Sequence, residues 1–345
     1  MSLSTRLQEL KKAVAAQAPL TNAQGRTSEA RDNRGRSADT PAQIPLPGWK
    51  DIAVRSYQEV NNNNIFLIAG GVTYTLLLAL FPALAALVAI YGLLFDPAQV
   101  EQQLHSLASI LPQQSMDLVA TQLHSLVQAS GKSLGFGAVV TLLFALWSAS
   151  RGMSGLIIGC DIAYRQPETR SFLKFNAIAI GLTIAGLISG TLVIALVGVL
   201  PAAIQFIGLG SILTWLILIL QWPILIAIAM FSLALLYRYT PDRNPPQWRW
   251  VTPGAIAATA LWLIGSIGFS VYVSNFNSYN ATYGSLGGVV ILLTWLYLSS
   301  FVALLGAVIN AQAERQTQHD STDNPDESLG RRGAYAADTV GDAKG

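Results

Sequence analysis

Charge is what this chain has least of: Asp, Glu, Lys and Arg make up 12% of its 345 residues, while hydrophobic residues make up 52%. Soluble domains carry roughly 25% charged residues, so there is too little polar surface here to clothe a water-soluble fold of this size. Cysteine is scarcer still. Cys160 stands alone, which excludes an internal disulfide and leaves nothing to argue for an oxidised compartment. It also lacks an adjacent base to make it a nucleophile. The histidines are His105, His124 and His319; the first two are 19 positions apart with no tight His, Asp or Glu cluster around them, and the third sits in a polar tail. No metal site and no other cofactor is therefore expected. The chain has no G-x-S-x-G elbow and no G-x-x-x-x-G-K-[ST] phosphate loop, so it does not read as an enzyme. A net charge of +2 is too small to argue for nucleic acid as a partner.

Long apolar runs, by contrast, recur along the chain. Six of them, over 66–95, 134–158, 175–200, 211–236, 253–274 and 287–311, each meet the roughly 20 residues that cross about 30 Å of hydrocarbon. Backbone polar groups in lipid must be paired within the segment, so helices are expected; barrel strands would be shorter and would alternate in polarity. The fold class expected is all-α, a polytopic bundle of six transmembrane helices. The first run follows a long polar stretch and is too long for the apolar part of a signal peptide, so the first helix is expected to direct insertion itself. Lys and Arg fall on one side of this topology: 20 of the 21 lie before span one, at or between spans two and three, after span four or after span six. Only Lys132 falls on the other side. That bias places both termini in the cytoplasm.

Three domains follow. Residues 1–46 and 317–345 are polar and poor in aromatics, and are expected to be disordered cytoplasmic tails; 47–316 forms the membrane domain. Within 48–64, Trp49, Ile52, Val54 and Tyr57 alternate with Lys50, Asp51, Arg55 and Glu59, which suits a short amphipathic helix on the membrane surface. Between spans one and two, Val100, Leu104, Leu107 and Leu111, then Leu118, Leu123, Leu126 and Val127, fall near helical spacing. Pro97 opens the first set and Pro112 divides the two. An extracytoplasmic helical hairpin over 98–130 is expected, either a structural lid or a gate or docking surface.

Small-xxx-small pairs occur at Gly155 and Gly159, Gly186 and Gly190, and Gly284 and Gly288, allowing helices to approach closely. Pro82 and Pro223 fall inside spans one and four, where they remove a backbone donor and are candidate hinges. Polar residues at membrane depth are the stronger functional pointers. Trp147, Ser148, Ser150 and Arg151 interrupt span two, with Asp161 beyond. Arg151 and Asp161 are ten apart, about 15 Å of helix rise, so each is expected to bind something else unless Arg151 snorkels to the headgroups. Tyr74 in span one and the uncharged loop bearing Tyr279, Asn280, Tyr283 and Gly284 complete the candidate pathway residues; the loop reads as a polar lining, a re-entrant turn or an aromatic belt.

The ordered segments A-G-G-V-T-Y-T-L-L-L-A-L-F-P (69–82), L-W-S-A-S-R-G (146–152), D-I-A-Y (161–164), L-Y-R-Y-T-P-D-R (236–243), T-P-G-A (252–255), Y-N-A-T-Y-G-S-L-G (279–287) and W-L-Y-L-S (295–299) carry a resemblance. The chain resembles the YihY/BrkB family of bacterial inner-membrane proteins, sometimes labelled ribonuclease-BN-like, over roughly 49–316. Two departures stand out. Asp161 replaces the amide of the family's L-N-x-A-Y, and Gly306-Ala307-Val308-Ile309-Asn310 replaces G-A-E-L-N, removing an acid from the last span. The resemblance implies a six-helix inner-membrane protein with an envelope role that includes movement of lipid or lipid-linked molecules. The function expected is a transporter or lipid-translocating protein with membrane lipids as partners. A scaffold for an envelope complex, with a protein partner, is the alternative, and a ribonuclease is the weakest reading. Oligomeric state and substrate stay open.

Overall fold

A computed structural model of the chain describes residues 33–94, 136–201, 204, 211–274, 286–323 and 327–344. Among them are α1 (Leu46–Asn62), α2 (Ile65–Leu94), α3 (Phe136–Ala163), α4 (Phe172–Ile194), α5 (Ser211–Tyr239), α6 (Trp248–Ser274), α7 (Leu286–Glu314) and the short α8 (Tyr335–Asp338). A 3-10 turn, Pro41–Gln43, precedes α1, and α4 runs on into a π-helical turn, Ala195–Val199. The described residues contain no strand; Pro246 and Thr322 form one isolated bridge. Helices α2 to α7, α4 together with its π-helical turn, contain the six segments long and apolar enough to cross a membrane, and α2 and α5 continue unbroken through Pro82 and Pro223. The hairpin expected over 98–130 lies outside the described residues.

The spans alternate in direction, so the start of α2, the end of α3, the start of α4, the end of α5, the start of α6 and the end of α7 share one end. Glycine sets the closest helix contacts. A Cβ on Gly155 would lie 2.2 Å from Thr75 Oγ1, one on Gly152 2.6 Å from Ala79, and one on Gly159 2.8 Å from Leu304, so this row of small residues on α3 receives α2 and α7. Helices α6 and α7 meet the same way, with Gly254 facing the Gly306 carbonyl at 2.1 Å from where its Cβ would be. Gly186 and Gly190 on α4 and Gly288 on α7 face open space instead. Of the glycine pairs, therefore, only Gly155–Gly159 is used inside this chain among the described residues. The hydrophobic core lies toward the shared end and joins Ile65, Val72, Cys160, Tyr237, Val251, Leu304 and Val308 from five helices.

Helix α3 ends in a Schellman motif: the Gln166 N–H donates to the Asp161 carbonyl at 2.8 Å and the Arg165 N–H to the Ile162 carbonyl at 3.0 Å. Arg165 occupies the left-handed position (φ 55°) that glycine usually fills, at a cost of about 1–2 kcal/mol. Its guanidinium forks onto Glu59 of α1 at 2.5 and 2.8 Å, which offsets that cost and ties α1 to the bundle.

The tails depart from expectation. Disorder does not hold for 33–45 or for the described part of 317–345, which fold over the shared end. Arg36 donates to the Gly341 carbonyl at 2.6 Å and to the carbonyls of Arg315 and Gln316. Arg332, only 5% exposed, donates to the carbonyls of Gln318, His319, Glu327 and Ala337. Scarcity of apolar area suggested disorder, but an arginine with five donors can bind several backbone carbonyls at once, and small residues such as Ala38, Ala334, Ala336 and Ala337 bury easily beneath. Helix α1 buries charge as well as apolar residues: Asp51, Arg55 and Glu59 are buried against the tails and Arg165, alongside Ile52 and Val60, while Leu46, Lys50 and Tyr57 face outward.

Candidate functional site

Two polar regions emerge. The first is a mid-span patch on α3. Arg151 sits twelve residues before the helix end at Ala163, about 18 Å of rise, near the middle of the apolar segment Leu142–Ala163. It is exposed, and its guanidinium lies 4.6 Å from the centre of the Trp147 ring, a cation–π pair one turn apart. Trp147 is itself 42% exposed. Among the described residues no carboxylate pairs with Arg151. Ser148 is half-buried, whereas Ser150 is buried and satisfied by donating to the Trp147 carbonyl at 2.7 Å, so Ser150 belongs to the helix and not to the patch. Arg151 lies one turn from Gly155, which packs on Thr75 of α2, so the patch borders the α2–α3 seam. Tyr74 is exposed on α2 in line with Leu67, Gly71, Leu78 and Phe81 at helical spacing, on the outward face of α2. Tyr279, Asn280, Tyr283 and Gly284 lie outside the described residues.

The second region is the shared end, where the loop after α3 clasps the loop after α5. Asp161 accepts from the Asp242 N–H at 2.8 Å and pairs with Arg170 at 3.5 Å. Arg170 also binds Glu168, reaches Asp242 at 3.7 Å and donates to the Thr240 carbonyl at 2.9 Å, and Thr169 donates to Asp242 from both its N–H and its hydroxyl. Burial works against the Glu168 and Asp242 carboxylates. Hydrogen bonds from Arg170 to the first and from Thr169 to the second outweigh it and hold both below their ordinary pKa. Asp161, separated from Arg151 as the spacing required, is thus engaged within the chain through Oδ1, while its buried Oδ2 has Arg170 at 3.5 Å but no hydrogen bond.

Beneath the clasp, Arg243 pairs with Glu314 at 2.7 Å, both side chains fully buried. The guanidinium lies 5.1 Å from the centre of the Tyr164 ring, and Ser321 of the tail donates to the same Glu314 oxygen. Burial, then the Glu314 charge, raise the Tyr164 phenol well above its ordinary pKa. Asn310 accepts from the Gly254 N–H at 2.6 Å and donates to the Val251 carbonyl at 3.0 Å, satisfying backbone beside Pro253, which has no N–H to give. Val308, where the resemblance expects an acid, is fully buried in the apolar core.

The short segments around 161–164, 236–243, 252–255 and 306–310 thus converge on one structural hub. Arg170, Arg243, Asn310 and Glu314 were not among the candidate residues; the available signal was their position at or just beyond span ends, where an ionisable group in a nearly charge-free chain needs a partner.

Six apolar spans closed at one end by buried ion pairs, with a cation left at mid-span, define a polytopic α-helical membrane protein. Residues 56–330 match the model of the family described as Virulence factor BrkB, and the chain belongs to that family. It is 34% identical over 247 residues to the ribonuclease-like protein YfkH of Bacillus subtilis, an alignment covering 69% of this chain and 86% of that one. It is 33% identical to a UPF0761 membrane protein of Rhodospirillum centenum, over 72% of this chain and 54% of that longer protein. A UPF0761 membrane protein of Idiomarina loihiensis is 26% identical over 74% of this chain and 88% of its own length. No solved structure matches.

Proposed function

We propose that this chain is a transporter of the bacterial inner membrane that moves an anionic lipid or lipid-linked molecule between leaflets, with both termini in the cytoplasm. The observation that carries the reading is Arg151, exposed at mid-span beside Trp147. A lone guanidinium at that depth is costly unless water or an anion meets it, and a passing headgroup supplies the anion. The polar loop with Tyr279, Asn280, Tyr283 and Gly284 then serves the far side of the route. The 20 of 21 Lys and Arg assigned to one side support the orientation. On this reading the protein does no covalent chemistry and needs no cofactor and no nucleic acid.

The test is reconstitution into vesicles holding a fluorescent anionic phospholipid, with dithionite counting the molecules that change leaflet. Wild type should speed crossing, Arg151→Lys should keep part of the gain, and Arg151→Ala and Tyr283→Ala should lose it. Equal crossing by wild type and Arg151→Ala would remove Arg151 from the mechanism.

A scaffold for an envelope protein partner is the second reading, favoured by the open Gly186 and Gly190 on α4. Crosslinking in cells at these positions would reveal such a partner. The ribonuclease-like name of YfkH raises hydrolysis as a third; purified protein is expected to show no metal-dependent turnover of RNA.

A further inference from the structure

A groove of about 470 Å³ lies between α1 and the flanks of α2, α6 and α7, within the range of small-ligand pockets. Trp49, Ile52, Phe66, Ala257, Phe301 and Leu305 form its walls, and the Phe66 and Phe301 rings stack 4.6 Å apart and nearly parallel. Water is a poor occupant, because such walls offer it almost no hydrogen bonds. Ser56 is the exception in this lining: it is only 4% exposed and its hydroxyl has no hydrogen-bond partner. A buried hydroxyl left so is unfavourable, and a turn of its side chain toward the groove would let it donate to an acceptor there.

The position says where that acceptor comes from. Three of the four walls belong to membrane spans, and Phe66 is 50% and Tyr57 72% exposed at the groove's border, so on the transmembrane reading of these helices the groove opens toward lipid. On α1, Lys50 is exposed on the same stripe as Ala53 and Tyr57, at i+3 and i+7, a cation beside the interface.

We propose that this groove holds one acyl chain of a phospholipid, with an ester carbonyl accepting from the Ser56 hydroxyl and the anionic headgroup beside Lys50. A chain entering from the bilayer exchanges hydrocarbon for hydrocarbon and gains nothing from the hydrophobic effect. Selectivity therefore rests on fit, on the Ser56 bond and on Lys50. Arg151 is not among the lining residues, so the bound lipid is separable from any lipid that is moved.

Native mass spectrometry of the full chain in mild detergent, titrated with palmitoyl-oleoyl phosphatidylglycerol, tests this. Wild type should take up one molecule saturably. Ala257→Phe, which fills the groove, should weaken uptake about tenfold or more, Ser56→Ala about fivefold, and Gly181→Ala on the open face of α4 should leave it unchanged. Undiminished uptake in folded Ala257→Phe and Ser56→Ala would overturn the proposal, as would a dimer whose formation excludes the lipid. Should Ala257→Phe fail to fold, phosphatidylglycerol brominated along one chain should quench, at one equivalent, a fluorescence component missing from Trp49→Phe; absence of that component overturns the proposal equally.

Discussion

At the shared end of the bundle, span termini and tails are tied together by arginines and carboxylates, whereas α4 and α5 meet through little more polar than Ser232 donating to Ser189 at 3.0 Å. Only 6% of the α4 and α5 spans is buried inside the chain, against 33% of the α3 span, so the contrast extends to packing. Lipid is as apolar as a leucine side chain, and helices in it gain nothing from hiding apolar faces. A buried charge has one acceptable arrangement, and an apolar helix face has many. The shared end is accordingly the rigid hub, and the α4–α5 flank is where motion or partners can be accommodated.

Breaking the hub at its most buried pair should have the largest effect. Glu314→Ala leaves Arg243 buried without its carboxylate, and a loss of about 3–5 kcal/mol is expected, seen as failure to fold or a collapse of the thermal midpoint in detergent. The double change Arg243→Met with Glu314→Leu should recover much of it; an unchanged midpoint for the single variant would show that the pair does not hold the hub.

Glycine contacts sharpen the contrast next. A Cβ on Gly306 would lie 2.2 Å from the Tyr237 hydroxyl, and Gly306→Ala should cost about 1–3 kcal/mol by overpacking. Gly190→Ala on the open α4 face should stay within about 0.5 kcal/mol of wild type. If the two melted alike, the hub would be no more tightly packed than the flank.

Acid should loosen the clasp more gently. Glu168 and Asp242 have folded pKa values below their ordinary 4.5 and 3.8, so their contribution is fully present above the unfolded values and is lost as pH falls through the folded ones. Lowering pH from 5 toward roughly 3 should reduce stability in wild type, and the slope should be shallower in Glu168→Gln with Asp242→Asn. Parallel slopes would locate the acid sensitivity elsewhere.

The smallest expected change in stability is at Arg151. Arg151→Ala should shift the midpoint by no more than about 0.5 kcal/mol, since its described contact is the Trp147 ring. The same variant carries the largest expected loss in lipid crossing, and a large stability loss would instead make Arg151 a packing residue.

Residues with lipid-scale periodicity were legible, and so was the isolation of Arg151 from Asp161, because helix rise alone separates them. The partners of Asp161 were not, since Arg170 and Asp242 come from loops brought together only by the return of α4 and α5. Ser150 shows the opposite limit: its hydroxyl bonds locally to Trp147, a choice invisible to a search for polar residues in apolar runs. The folding of 33–45 and of the last residues onto the bundle was missed for a related reason. Composition counts apolar area, while Arg36 and Arg55 secure these segments through carbonyls far along the chain and Arg332 through carbonyls of its own segment.

Taken alone, the sequence determined the six membrane-crossing helices, because length and hydropathy are local properties and lipid permits little else. It also marked the cation stranded at mid-span. Only the tertiary structure decided which glycines are contacts and which are open, which charges are already paired, and that α1 encloses a groove with an unpaired Ser56 hydroxyl. Those are relations between residues up to hundreds of positions apart, set by which helix faces meet, and no local pattern encodes them.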